Sequence, residues 1–248
     1  IVVDIRRFQA VTDACRDANV IVHAAAQVAV TVSLANPRTD FEINALGTFN
    51  ALEAARSNDS AFIFCSSNKV YGENVNNIAV KEETKRYALD DPAYENGIPE
   101  NFPIDHTAHS PYGSSKLAAD VYVQEYAHTY GLKTGVFRMS CIYGERQCGC
   151  EDQGWLAWFT IATILGKPIT IYGNGKQVRD VLYVKDLMNA FNSFLESGAK
   201  HEVFNIGGGS DKTLSLIELL DLLREFTGKE PKISFSDWRH ADQKVYIS

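Results

Sequence analysis

Tyr112 and Lys116 stand four residues apart in the run Tyr-Gly-Ser-Ser-Lys, directly after Ser110-Pro111. Ser followed by Pro is an N-cap followed by the residue best suited to a first helical position, so the run reads as the opening turns of a helix. At that spacing a phenol and an ammonium share one helical face and can reach one ligand. A phenol with a pKa of about 10 is a poor base at neutral pH, and lowering it by about three units takes roughly 4 kcal/mol of preferential phenolate stabilisation. The ammonium and the positive helix N-terminus both act in that direction. The pair is therefore expected to shuttle a proton, with Lys116 making Tyr112 acidic; the alternative is a surface Tyr and Lys at chance spacing.

A second chemical group lies at Phe62-Ile-Phe-Cys-Ser-Ser67, where an apolar run ends in hydroxyls. Ligands of open α/β sheets bind at the carboxyl ends of the strands, so Ser67 could hold a substrate hydroxyl or carbonyl near Tyr112. An ordinary strand-to-loop turn is the other reading. A third is His23-Ala-Ala-Ala-Gln27, whose small residues let a flat cofactor approach the backbone; His23 itself reads as a packed core residue.

The elements that must position these groups alternate between strand-length apolar runs and longer segments of helical period. That is the pattern of a parallel sheet covered by crossover helices, an α/β class. Strands are expected at 1–5, 20–23, 61–65 and 134–139. Helices are expected at 8–17, 40–57, with Phe41, Ala45, Thr48, Leu52 and Ala55 on one stripe, and 110–130, ending at Gly131. Residues 74–109 are polar and carry Pro92, Pro99 and Pro103, which reads as a long loop. Beyond residue 140 a helix at 155–165 precedes a strand at 168–172, a Gly173-Asn174-Gly175 turn and a partner strand at 177–182, read as a hairpin. A helix follows at 184–196, a strand at 203–206, and a Leu-rich helix opened by the capping box Ser215-x-x-Glu218 and closed at Gly228. The Gly207–Gly209 triplet reads as a turn, since its spacing to the next helix does not suit a dinucleotide loop.

The 248 residues can bury a substantial core, and 45% hydrophobic with 22% charged residues excludes disordered and fibrous classes. A net charge of −7 argues against nucleic acid or an anionic membrane surface as partner. Five widely spread cysteines favour reduced thiols in a cytoplasm. Cys148 and Cys150 are too close for the usual zinc spacing, and no metal is expected. No apolar run is long enough to span a bilayer.

Taken together, Asp4-Ile5, HAAAQ at 23–27, Asn44-x-x-Gly47-Thr48, SSNKVYG at 66–72, YGSSK at 112–116, FRMSCIYG at 137–144 and RDVLYVKD at 179–186 resemble the extended short-chain dehydrogenase/reductase family of NAD-dependent nucleotide-sugar epimerases and dehydratases. The resemblance spans nearly the whole chain. It implies a Rossmann-like doubly wound parallel sheet whose first βαβ unit and glycine loop would precede Ile1, and a segment without that loop should bind NAD poorly. Residues 1–142, with a return at about 178–206, would form the NAD-binding part, and 143–177 with 207–248 the substrate-binding part. Asp4 and Ile5 would border the adenine, Ala24 and Ala25 line the dinucleotide, and Asn44 sit near the catalytic tyrosine. Tyr112 would be the acid/base, Lys116 would contact the nicotinamide ribose, and Ser67 would complete the catalytic set. Arg179 and Arg239 would pair with the diphosphate of a nucleotide sugar, with Gln153, Tyr172 and Gln177 as further pocket residues.

Dehydratases of the family usually carry Asp-Glu after the hydroxyl residue. Asn68 and Lys69 stand there instead and cannot perform carboxyl chemistry, so epimerisation is favoured. The stretches 27–37, 66–72, 148–159 and 166–187 look most like the branch acting on CDP-sugars, which implies inversion at C2 of CDP-paratose to give CDP-tyvelose. Nothing in residue chemistry alone selects C2. A UDP-hexose 4-epimerase, another NAD-dependent sugar-nucleotide enzyme and, in a different class, a non-catalytic NAD-binding sensor remain open. The resemblance also implies a homo-oligomer paired through the helices at 40–57 and 111–130.

Overall fold

The structure, a computed structural model, describes residues 1–239 and 241–248. Along the chain run α1 (Phe8–Ala14), β1 (Val20–His23), α2 (Val30–Ala35), α3 (Pro37–Phe41), α4 (Gly47–Asn58), β2 (Ala61–Ser67), β3 (Val80–Glu82), β4 (Tyr87–Leu89), α5 (Ser110–Tyr130), β5 (Thr134–Met139) and β6 (Cys141–Tyr143). They are followed by α6 (Trp155–Leu165), β7 (Pro168–Tyr172), β8 (Val178–Tyr183), α7 (Val184–Glu196), β9 (His201–Ile206), β10 (Thr213–Ser215), α8 (Leu216–Thr227), β11 (Lys232–Ser236) and β12 (Val245–Tyr246). Two compact units divide them: residues 1–70, 109–139 and 188–205 form the first, and 71–108, 140–187 and 206–248 the second.

The first unit is built on a four-stranded sheet in the order β1-β2-β5-β9. β2 pairs parallel with β1 and with β5. A parallel strand covered on both faces needs apolar residues throughout, and Phe62, Ile63, Phe64 and Val136 are fully buried. One core joins Leu52, Ala54 and Ala55 of α4 and Ala119 and Val123 of α5 to Phe62, Phe64 and Val136. A separate aromatic group sets Phe137 of β5 against Phe191 of α7 and Phe204 of β9, with ring centroids 4.7 and 5.0 Å apart. Gly135 makes room for Phe194, since a Cβ there would lie 2.8 Å from that ring. The expected α/β class, a parallel sheet with flanking helices, is the observed one.

Three local expectations are corrected. Residues 1–5 form no strand: they pair with no strand among the described residues, and an extended segment without a ladder partner gains nothing from the conformation. β1, whose apolar run suggests a buried parallel strand, is buried on one face only: Ile21 and His23 point inward while Val20 and Val22 are exposed. The expected single helix at 40–57 is α3, a π-helical turn at Glu42–Leu46, and α4. The extra residue of a π turn rotates the helix face, so Phe41 drops out of the stripe and is 57% exposed while Thr48, Leu52 and Ala55 are buried.

The second unit centres on β8, which pairs antiparallel with β10 and parallel with β6 and β12. β7 pairs parallel with β11, and α6 and α8 pack on this pair through Phe159, Ala162, Leu219, Leu220 and Leu223. The expected hairpin between β7 and β8 is therefore absent: the glycine turn, with Gly173 and Gly175 at positive φ, sends consecutive strands into different sheets. The capping box of α8 forms as expected, Ser215 Oγ accepting from Glu218 N at 3.1 Å and Glu218 Oε2 from Ser215 N at 2.8 Å. Residues 74–109 are not wholly irregular, since β3 and β4 make an antiparallel pair within them.

Candidate active site

The chain folds so that α5 opens beside the carboxyl end of β2. Ser110 Oγ caps the third amide beyond it, accepting from Gly113 N at 3.3 Å. Ser33 of α2 fixes the turn from another element: its Oγ accepts from Tyr112 N at 3.1 Å and donates to Val30 O at 2.7 Å. Ser110 sits at φ 61°, a left-handed conformation that a non-glycine residue adopts only when its surroundings impose it. The backbone of Tyr112 is thus held from both sides.

Ser67, Tyr112 and Lys116 come together. All three are buried, at 8%, 9% and 3% exposure. The Ser67 side chain hydrogen-bonds the Tyr112 side chain. Lys116 Nζ donates to Cys65 O at 2.7 Å and lies 4.2 Å from the centroid of the Phe64 ring. Ser67 Oγ also accepts from Lys69 N at 3.2 Å, so the strand end turns around the hydroxyl.

The electrostatics correct one expectation. Burial pushes the Tyr112 phenol above its ordinary range, the hydrogen bond from Ser67 opposes this, and the Asp40 carboxylate adds to the upward push. Lys116 does not make the phenol acidic in the chain alone: its ammonium is turned toward the Cys65 carbonyl and is itself pushed down to about 8 by burial. Desolvation, which penalises whichever form is charged, outweighs the pairing expected from spacing.

Behind this set lies a buried polar network that includes Asn44 and two residues not singled out from the sequence, Asp40 and Ser115. Asn44 Nδ2 donates to Ser115 Oγ at 3.1 Å, Asp40 Oδ1 at 3.1 Å and Gln27 O at 3.0 Å, and Asn44 Oδ1 accepts from Gln27 N at 2.8 Å. Ser115 Oγ donates to Asp40 Oδ2 at 2.5 Å, and also contacts Tyr112 O at 3.0 Å. Asn44 occupies the middle of the π turn, a feature frequent at functional sites. The place of Ser115 between Tyr112 and Lys116 is a signal that points to it. Asp40, 1% exposed, is signalled only by standing four residues before Asn44.

His23 is a packed core residue. It is 4% exposed, lies 3.0 Å from Thr48 Oγ1 and stacks on Phe64, and burial pulls its pKa down to about 3. Ala24 and Ala25 are exposed at the carboxyl end of β1. Asp4 is exposed and paired with Arg6 at 2.6 Å, which holds its carboxyl at about 2, and Ile5 packs against Gly47.

In the second unit, Tyr172, Gln177 and Arg239 are neighbours. Gln177 Nε2 donates to Tyr172 O at 2.7 Å, its Oε1 is buried without a hydrogen-bond partner among the described residues, and the Arg239 guanidinium lies 4.0 Å over the Tyr172 ring. Arg239 also pairs with Asp152 at 3.2 Å. Arg179 pairs with Asp242 at 2.9 Å. A cavity of ≈ 440 Å³ is lined by Glu73, Asn76, Trp238, Arg239, Asp242 and Lys244. Lys244 has no counterpart among the sequence expectations; a lone Lys in a polar tail carries no signal. Gln153 is exposed in the turn it closes with Cys150 and lines no part of this cavity.

The profile of the NAD dependent epimerase/dehydratase family matches residues 1–207. The chain belongs to that family. Among curated members, CDP-paratose 2-epimerase of Salmonella typhi is 43% identical over 235 residues, covering 91% of this chain and 68% of that protein. A putative UDP-glucose 4-epimerase of Methanocaldococcus jannaschii is 35% identical, over 94% of this chain and 69% of that one. Among solved structures, the NAD complex of UDP-glucose 4-epimerase from Thermus thermophilus superposes with a TM-score of 0.81 at 31% identity, covering 99% of this chain and 74% of that one. These epimerases share the parallel sheet and flanking helices described above, as expected for a Rossmann-like fold.

Proposed function

We propose that the chain is an isomerase that inverts a carbinol carbon of a nucleotide-linked sugar with NAD as cofactor, and that its substrate is CDP-paratose, inverted at C2 to CDP-tyvelose. The observation that carries the reading is the hydrogen-bonded Ser67 and Tyr112 with Lys116 one helical turn on, all buried at the carboxyl end of β2. The choice of sugar nucleotide rests on the similarity to CDP-paratose 2-epimerase. Asn68 and Lys69 after Ser67 favour epimerisation over dehydration.

The donor set suits the nicotinamide end of the cofactor. An ammonium carries three donors and Cys65 O takes one, which leaves Lys116 able to bond a ribose hydroxyl. Ala24 and Ala25 leave the backbone at the end of β1 open to a flat group, and Asp4 and Ile5 would border the adenine. Held by these residues, NAD would supply reversible hydride acceptance at the sugar carbon. Tyr112 as phenolate takes the proton of the sugar hydroxyl and gives it back, while Ser67 holds that oxygen in line. Asn44 holds the tyrosine's surroundings through Ser115, and Ser115 carries Asp40 against the same helix turn. Arg179 and Arg239 pair with the diphosphate, a task for planar guanidinium forks, and Tyr172, Gln177 and Gln153 complete the substrate side.

We further propose a homodimer through α4 and α5, supported by the exposed apolar residues Phe49, Val121, Tyr122 and Tyr130. Work in a reducing cytoplasm is supported by five widely spread cysteines, an odd number in a chain large enough not to need disulfide staples.

Tyr112→Phe keeps the ring and removes the proton carrier. It should lower kcat roughly a hundredfold to ten-thousandfold, as expected for loss of a general acid/base, while NAD affinity stays at the parent's level. Turnover unchanged by Tyr112→Phe contradicts the assignment. A second reading, UDP-hexose 4-epimerase, is favoured by the similarity to the Methanocaldococcus protein. A panel of CDP- and UDP-sugars assayed side by side separates the two.

A further inference from the structure

A buried ion pair lies beside the catalytic set without belonging to it. Asp120 stands one helical turn after Lys116 on α5 and is fully buried, as is Arg138, 4% exposed, on β5. Arg138 donates to both Asp120 oxygens, from Nε to Oδ2 and from NH2 to Oδ1, each at 3.0 Å. The remaining positions are filled from two further directions: Ser66 Oγ donates to Oδ2 at 2.6 Å and Gln124 Nε2 to Oδ1 at 2.7 Å. Ser66 and Arg138 are register partners in the β2–β5 ladder. One carboxylate thereby ties α5 to the carboxyl ends of both strands.

Its partners adjoin the groups that do the chemistry. Ser66 immediately precedes Ser67, and Cys65, whose carbonyl receives Lys116 Nζ, immediately precedes Ser66. Burying two charges carries a desolvation penalty that an apolar pair of the same volume avoids, so stability alone does not call for this arrangement. What a four-bonded carboxylate supplies that an apolar pair does not is direction. It admits one register of the helix along the strands, and a slide of α5 breaks the three hydrogen bonds from Ser66 and Arg138 at once. The neighbouring pair of Ser67 and Tyr112 depends on that register, because one residue is on the strand and the other on the helix.

We propose that Asp120 is a positioning residue, which with Arg138 and Ser66 fixes α5 against β2 and β5 and thereby sets the spacing of Tyr112 and Lys116 from Ser67. The proposal rests on the reading of Tyr112, Lys116 and Ser67 as the proton-transfer set. It differs from a merely structural role because the clamp acts on the chemical step more than on substrate binding.

The test uses the NAD-loaded protein and three variants. Ser66→Ala removes the strand tether and leaves the ion pair intact. Ser66→Thr restores the hydroxyl. The double variant D120L/R138M replaces both charges by apolar side chains and leaves neither charge buried alone. A misplacement of about an ångström between reacting groups costs up to roughly a hundredfold in rate. The expected result for Ser66→Ala and the double variant is therefore a kcat reduced about tenfold or more, with KM and NAD affinity within about twofold of the parent and a cooperative melt retained. Ser66→Thr should recover most of kcat.

Two results would overturn the proposal: parental kcat in a folded double variant, or loss of kcat, KM and NAD affinity together without rescue by Thr. The Tyr112→Phe control separates this failure from that of the underlying reading. If it abolishes turnover while the clamp variants are fully active, only the positioning role falls; if it leaves turnover intact, the catalytic assignment itself falls.

Discussion

Tyr112 is held in a place that disfavours its charged form, and under the proposed mechanism the groups around it set the pH dependence of turnover. Burial and Asp40 raise its pKa and Ser67 lowers it, while burial pulls Lys116 down to about 8 against the opposing effect of Cys65, Asp120 and Asp40. Asp40→Asn removes a negative charge that disfavours the phenolate and favours the ammonium, so both pKa values should fall. The proposed mechanism needs phenolate and ammonium together, so it predicts that both limbs of the kcat profile move to lower pH. A pH series on the two proteins checks this, and an alkaline shift contradicts it. His23 gives a second, independent prediction. It is buried neutral, with its pKa pulled from 6.5 to about 3. The unfolded chain therefore binds a proton in that window that the folded chain refuses, and stability falls as pH drops, by up to about 1.4 kcal/mol per pH unit. Denaturant titrations between pH 7 and pH 4, at about one-unit steps, should show a shallower loss for His23→Gln than for the parent. Tyr112, Lys116 and Ser67 are legible in the sequence because each announces itself within a few residues. Asp40 and Ser33 are not, because they meet the site across 75 and 79 residues.

Elements bounded by caps are closely legible. α5 opens at Ser110-Pro111 and closes at Gly131, and α8 opens at its capping box and closes at Gly228, in each case where the capping residues put the ends. What escapes a linear reading is pairing. β7 and β8 suggest a hairpin because they are adjacent in sequence, yet β7 takes β11 and β8 takes β6, β10 and β12, choices made by residues up to the far end of the chain. The π turn at Glu42–Leu46 is invisible to periodicity, which assumes an unbroken helix. The exposed faces of α4 and α5 carry a further prediction. Tyr122 is 51% exposed and meets Phe49 edge-on at 5.8 Å, in an apolar surface of the kind that marks an interaction site. Tyr122→Asp should shift the protein from dimer to monomer in sedimentation velocity. A parental protein that sediments as a monomer at the same concentration contradicts the proposed pairing.

At the scale of the whole molecule, the alternation of apolar strands with amphipathic helices suffices for the α/β class, and the family follows from the ordered motifs along the chain. Net charge −7 gives no sign of Arg179, Arg239 and Lys244, because local cations disappear in a sum. Trp238, Asp242 and Lys244 line one cavity of the second unit, and of the three only Lys244 falls outside the run Trp238–Asp242 around Arg239. The central claim is that one carbon gives up a hydride and receives the same hydride back while Tyr112 moves the proton. Incubating CDP-paratose deuterated at C2 with the NAD-loaded protein in ordinary water, and reading the product by NMR, tests it directly. The account predicts CDP-tyvelose with the deuterium still at C2; replacement of that deuterium by solvent hydrogen would contradict it.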